Sequence, residues 1–233
     1  MILRAVLAGL LCLGVTVALG WAVLERPAPV ENLPERVASA MPESGVEHPI
    51  TAVLLNFRSY DTLLEIAVLL LAVVVALALR EAQPDRPEQM GLDNPLLRAV
   101  MAWLLPLLLV VAGFLLWAGA HQPGGAFQAG SVLAAAGVLL RLAGVTADWL
   151  DNAVLVRAGL ALGLLTFLGI GMLVTLAGAP FLTYPAAYAG TLILVIELTL
   201  TLSIGLTLLS LFRLNPPYAD DPDDARAQEA PKP

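Results

Sequence analysis

Three carboxylates stand out because each falls where the chain is otherwise apolar. Glu197 is the tenth residue of a 25-residue apolar stretch, 188–212, and a helix through that stretch puts it roughly 13 Å from the nearer end. An ionised carboxylate in hydrocarbon costs at least ~2.5–3.5 kcal/mol, so such a residue needs a partner or a purpose. The functional reading is a proton or cation site; the alternative is a carboxyl held neutral, or bonded to a neighbouring helix to glue a bundle. Thr201, four residues on, shares its helix face and is placed to support it by a hydrogen bond. Asp61 and Glu65 are also four apart on one helix face, and Arg58, three residues before Asp61, lies on the same side. One guanidinium cannot neutralise two carboxylates. Paired acids at this spacing suit relay of H⁺ or loose, transient coordination of a hard cation such as Na⁺, at Glu65 above all, because hard cations take oxygen ligands. For Asp61 the competing reading is a helix-terminal cap, with Arg58 pairing outward.

The remaining polar residues are weaker signals. His48 and His121 both fall in polar segments; a metal pair is weighed against solvated or capping side chains, and the second reading is adopted. Arg141 lies near the end of an apolar run and is expected to snorkel. Pro106 would free a backbone carbonyl and kink its helix, and a packing role is the reading adopted for it. Gly159 and Gly163 form a small-xxx-small pair for close helix approach, and Thr199, Ser203 and Thr207 form a stripe read as packing groups or back-bonders to their own helix. The single cysteine, Cys12, excludes a disulfide framework, a CxxC pair and a thiolate iron–sulfur site within the chain. There is no Walker loop, HExxH or GxSxG motif, and no histidine pair within the apolar spans to ligate a haem. Neither an enzyme's catalytic set nor a cofactor site nor a resident metal site is expected.

The elements that must position these acids follow from composition. Of 233 residues 59% are hydrophobic and 13% charged, with mean hydropathy +0.84, whereas soluble domains run near a quarter charged. An all-α, polytopic membrane protein is the class this implies, and an ordinary soluble enzyme is excluded. Six spans are expected: 5–24, 59–79, 99–118, 126–146, 154–177 and 188–212. The first reads as a retained anchor, a cleavable signal peptide being the alternative. Residues 25–49, with five prolines, argue against continuous helix or strand. The second span has only 14 charge-free residues, 66–79, about 21 Å of helix, so it must reach back to Ser59 and carry Asp61 and Glu65 into the membrane. Extended further, through the apolar run 50–57, one helix would be about 45 Å long; a break near Asn56-Phe57 and a short interfacial helix before it are expected.

Orientation follows from the basic residues. With the N-terminus inside, nine lie on the inner side (Arg4, Arg80, Arg86, Arg98, Arg141, Arg157, Arg213, Arg226 and Lys232) and three outside (Arg26, Arg36 and Arg58), which places both termini in the cytoplasm. The charged linker 81–95 divides a two-span part, 1–80, from a four-span part, 96–213. The acidic tail 214–233 lacks the apolar residues to build a core and reads as disordered. A net charge of −7 without any basic run argues against nucleic acid as a partner; membrane lipid is the expected surround.

Two stretches are recognisable. Asn56-Phe57-Arg58-Ser59-Tyr60-Asp61-Thr62-Leu63-Leu64-Glu65 resembles the aromatic-Arg-Gly-aromatic-Asp-Thr-x-x-Glu run of the E-type subunits of membrane-bound hydrogenases, found also near the C-terminus of the large A-type subunits of Mrp-type Na⁺/H⁺ antiporters. Ser59 stands here where the family has Gly. His121-Gln122-Pro123-Gly124-Gly125-Ala126-Phe127 resembles the His-x-Pro-Gly-Gly-x-Phe turn of the antiporters' B-type subunits, and Glu197 matches the acid of that family's final helix. The resemblance implies an E-type module fused to a B-type module. It further implies an accessory subunit of a multi-subunit cation/proton antiporter of the cell inner membrane, related to the membrane arm of respiratory complex I. The implied partners are the large proton-path subunits and small C-, F- and G-type subunits.

Two functions compete. In the first, Asp61, Glu65 and Glu197, supported by Arg58, Thr201 and His121, lie on or beside an ion path. In the second, the chain is a scaffold whose acids only hold helices together, in an antiporter or a hydrogenase-linked complex. A self-sufficient transporter is disfavoured, since the two halves show no inverted repeat.

Overall fold

The computed structural model of the chain describes residues 2–25, 32–81, 95–145 and 152–213. The acidic tail and nearly all of the expected linker lie outside the described residues. Within them, every regular element is helical: α1 (Ile2–Leu24), α2 (Leu33–Ser44), α3 (Pro49–Ala52), a π-turn (Val53–Phe57), α4 (Ser59–Glu81), α5 (Pro95–Ala118), α6 (Ala126–Leu142), α7 (Ala153–Leu176) and α8 (Ala186–Arg213). Five of these, in α1, α4, α5, α7 and α8, are long and apolar enough to cross a membrane, so the chain is a multi-pass membrane protein.

The remaining expected span, 126–146, is shorter than its apolar run suggests. α6 has 17 residues, about 26 Å. Its end is set by chemistry rather than by hydropathy: Gly144 has φ +72°, its N–H donates to the Arg141 carbonyl, and the Val145 N–H donates to the Leu140 carbonyl. That is a Schellman motif, which closes the last turn while the apolar composition still continues. Arg141, expected to snorkel, is instead buried in this last turn. The proline-rich segment also departs from expectation, since α2 forms within it. Pro34 sits in the first turn, where a missing N–H costs nothing, and Pro42 falls in the last turn. Pro106 lies inside α5, which continues through it as one helix.

The chain divides into two compact units, one up to Ser39 and one from Ala40 onward. In the first, α1 exposes every described side chain. In the second, α8 is the central helix: α6 and α7 pack along it, α5 packs on α6, and α4 packs on α7 and α8. Leu55, Leu63, Ile66, Phe167, Ile196 and Leu200 share one buried cluster, so α4 and the segment before it belong to the same core as α7 and α8. Small residues set the spacing. A methyl at Gly163 would stand 2.9 Å from the Ser203 Cβ, and one at Gly159 2.7 Å from Leu206. Ser203 donates to the Leu160 carbonyl at 2.6 Å while Thr199 bonds back to Ile196 at 2.9 Å, the packing and back-bonding roles expected of that stripe.

α6 and α8 run parallel, because Gly125 lies beside Glu197, Gly130 beside Ile204 and Gly137 beside Leu209. α6 therefore begins level with the twelfth residue of α8, and the first three turns of α8, about 16 Å, have no α6 beside them. That space is taken by the chain before α4. Gly45 approaches the Ala186 carbonyl so closely that a Cβ would stand 2.4 Å from it, and Leu55 joins the cluster around Ala189 and Ile193.

Candidate functional site

The break before α4 falls where the residues required it. α3 gives way to the π-turn, and Arg58 leaves helical geometry at φ −126°, ψ 35°. α3 packs into the protein through Thr51 and Ala52, which are buried, while Ile50 is exposed. Carbonyls freed by the break are met by side chains. Thr62 donates to Leu54 at 2.6 Å, Ser59 donates to Asn56 at 2.8 Å, and Asn56 Nδ2 reaches back to the Ser44 carbonyl at 2.7 Å. Ser59 at the family's glycine position is thus a working hydrogen-bond donor. π-turns of this kind concentrate at functional sites.

Beyond the break, α4 carries Asp61 and Glu65 on an exposed face. Arg58 Nη2 lies 2.5 Å from Asp61 Oδ2, with the two side chains 70% and 55% exposed. Asp61, Leu64, Glu65, Val68 and Leu69, with Phe127 of α6, line a shallow open depression. The structure thus brings Arg58, Asp61 and Glu65 together, on the outside of this chain.

Glu197 is placed otherwise. It is 5% exposed, on α8, and accepts a hydrogen bond from the backbone N–H of Ala126, the first residue of α6. A helix N-terminus offers unpaired N–H groups and a positive dipole end, a favourable seat for a carboxylate. Gly125 precedes that N-terminus at φ +115°, ψ −171°, a conformation held almost only by glycine. A Cβ there would stand 2.8 Å from Glu197 Oε1, and one on Gly119 would stand 3.3 Å from it. Two glycine backbones therefore form a wall against the carboxylate.

The supporting residues fall apart from this arrangement. Thr201 is buried, but its hydroxyl donates to the backbone carbonyl of Glu197 at 2.7 Å rather than to the carboxylate. His121 is exposed, its Nε2 3.7 Å from Glu47 Oε2 and its ring 5.3 Å from that of Trp117. His48 stands before α3 without capping it through its side chain. Among the described residues, no group of three or more His, Cys, Asp or Glu side chains could hold a metal ion. Sequence reasoning missed Gly119, Thr51 and the Ala126 N–H. The Gly124-Gly125 pair signalled a tight turn, whereas nothing near Thr51 or Gly119 pointed to the carboxylate 78 or more residues later.

Residues 96–213 match the family described as a domain related to the MnhB subunit of Na⁺/H⁺ antiporters, and residues 2–95 match MbhE, the family of the E-type subunits of MBH. The probable K⁺/H⁺ antiporter A/B subunit of Rhizobium meliloti (strain 1021) is 28% identical over 203 residues, covering 73% of this chain and 20% of that protein. The chain thus spans about a fifth of the length of this curated relative. Among solved structures, a chain of the Mrp complex from Dietzia sp. DQ12-45-1b superposes with TM-score 0.64 at 19% identity, covering 94% of this chain and 27% of that one. A chain of the membrane-bound sulfane sulfur reductase, an archaeal respiratory membrane complex, superposes with TM-score 0.66 at 20% identity, covering 91% and 97%. At these identities the likeness is one of fold.

Proposed function

Because this chain belongs to the family of domains related to the MnhB subunit of Na⁺/H⁺ antiporters, with an MbhE domain before it, we propose that it is an accessory membrane subunit of a multi-subunit monovalent cation/proton antiporter. In this reading it lies in the cell inner membrane as six spans with both termini inside, α6 being the shortest. It contributes Glu197, Glu65 and Asp61 to an ion path or its wall. The observation that carries the reading is Glu197, a carboxylate buried in an apolar bundle where α6 begins part-way along α8. Neighbouring antiporter subunits, large and small, would cover the exposed face of α4, because Glu65 against lipid would have no partner. The coupled cation is Na⁺ or K⁺: the family description names the first and the Rhizobium relative the second.

A scaffold role is the second reading, and one observation favours it. The Ala126 N–H and the glycine wall supply Glu197 with partners inside the chain, which is what a purely structural carboxylate would need. Neutral isosteres separate the two. In membrane vesicles holding the whole complex, Glu65→Gln and Glu197→Gln should abolish cation-driven pH change at normal complex yield. Normal transport in both would leave the scaffold. Topology is tested by an impermeant thiol reagent on intact cells of a Cys12→Ser background. A cysteine at the exposed Glu47 should react, and protection there would reverse the orientation.

A further inference from the structure

Gly119, buried just past the end of α5 and beside Glu197, leaves its carbonyl without a helical partner at the start of a turn whose tip, 121–123, is exposed. The carbonyl is met from a distant segment. Thr51, 7% exposed and on α3, donates its hydroxyl to that carbonyl. Gly119 in turn touches Gly125, since a Cβ on Gly119 would stand 2.8 Å from the Gly125 Cα and 2.9 Å from its nitrogen. The Gly125 N–H donates back to the Leu115 carbonyl at 2.8 Å, which ties the two ends of the turn together. Gly125 leads directly into the Ala126 N–H that binds the carboxylate. A shift of the Gly119 peptide is therefore passed to Gly125 and to the donor on Glu197, because two backbones in van der Waals contact leave no slack to absorb it.

We propose that Thr51 is a positioning residue for Glu197: through its bond to Gly119 it holds the 119–125 turn closed over the carboxylate and so fixes the group's exposure and hydrogen-bonding. The proposal deepens the reading of Glu197 as an ion-handling group. It also gives the segment before α4 a role in the other acid site, beyond filling the space above α6.

The test is made on the assembled complex with a hydrophobic carbodiimide, which modifies membrane carboxyl groups, following each modified peptide by mass. Thr51→Val keeps the side chain's shape and removes the hydroxyl; Thr51→Ser keeps the hydroxyl. Losing one buried hydrogen bond should speed modification of Glu197 by roughly threefold to tenfold in Thr51→Val, and Thr51→Ser should restore the wild-type rate. The rate at Glu65 should stay unchanged in both. Equal Glu197 rates in wild type and Thr51→Val overturn the proposal, as does a parallel rise at Glu65, which would report general loosening. Should Thr51→Val assemble poorly, Thr51→Ala removes the same hydroxyl at smaller volume and is read in the same way. Because modification is scored without transport, a complex that moves no cation would defeat the antiporter reading while leaving this result intact.

Discussion

Glu65 and Glu197 are the same side chain in two apolar helices, and the fold treats them oppositely. Glu197 is enclosed by elements of its own chain, against a helix N-terminus and two glycine backbones. Glu65 lies on an outward face of α4 among Leu64, Val68 and Leu69, with the Arg58–Asp61 pair one turn away. A carboxylate within a membrane span must find a partner, so the comparison divides the two acids by where that partner comes from. The chain itself supplies it for Glu197, and under the proposed function a neighbouring subunit supplies it for Glu65.

The largest contrast should come from contact mapping combined with neutral substitution. A photoactivatable side chain at Val68 should cross-link the Glu65 face to another protein of the intact complex; capture of lipid alone would show that this face meets the bilayer and break the comparison. Glu65→Gln and Glu197→Gln should each slow cation-driven proton movement by roughly a hundredfold, the scale lost with a proton-transferring side chain. Glu197→Asp should retain measurable activity at normal yield. Full transport in Glu197→Gln would leave this residue only its hydrogen bond to α6.

A smaller effect is expected at the wall of the enclosed site. Gly125→Ala forces an L side chain into φ +115° and sets a Cβ 2.8 Å from Glu197 Oε1. Backbone strain of this kind costs about 1–3 kcal/mol, so the yield of complex at raised temperature should fall. An alanine at Gly169, where a Cβ meets nothing within 4 Å, is the matched control and should be tolerated. Equal stability of the two variants would mean that the turn opens readily and that Glu197 is less enclosed than it stands here.

What was legible in the sequence tracks the range of the interactions involved. The break before α4 was legible because a charge-free run of 14 residues is too short to span and one long helix too long, a local length argument. Glu197 was legible because a lone acid in a 25-residue apolar run needs no knowledge of its neighbours. The end of α6 was misread because Ala143 and Val145 continue the apolar pattern while Gly144 turns the chain. α2 was missed because proline density says nothing of where in a turn each proline falls. The bond from Thr51 to Gly119 joins residues 68 apart, and no periodicity encodes such a pair. Likewise the spacing of Asp61 and Glu65 put them on one face without saying whether that face looks inward or outward.

The smallest effect should come from Arg58 in the isolated chain, and its size is the sharper probe for being small there. As the chain stands, the Arg58–Asp61 pair is more than half exposed on both sides, and a pair in water contributes ~0.2–1 kcal/mol. Arg58→Gln should then change the stability of the detergent-isolated chain by no more than that. In the assembled complex the same face is covered under the present reading, and breaking one partner of a desolvated pair costs about 3–5 kcal/mol. Measuring Arg58→Gln in both settings therefore weighs the covering itself. A small effect in the isolated chain with a large one in the complex places a partner over Arg58, Asp61 and Glu65. A small effect in both leaves the pair in water, and Glu65, one helical turn further along α4, would then reach the aqueous phase without help from its neighbours in the complex.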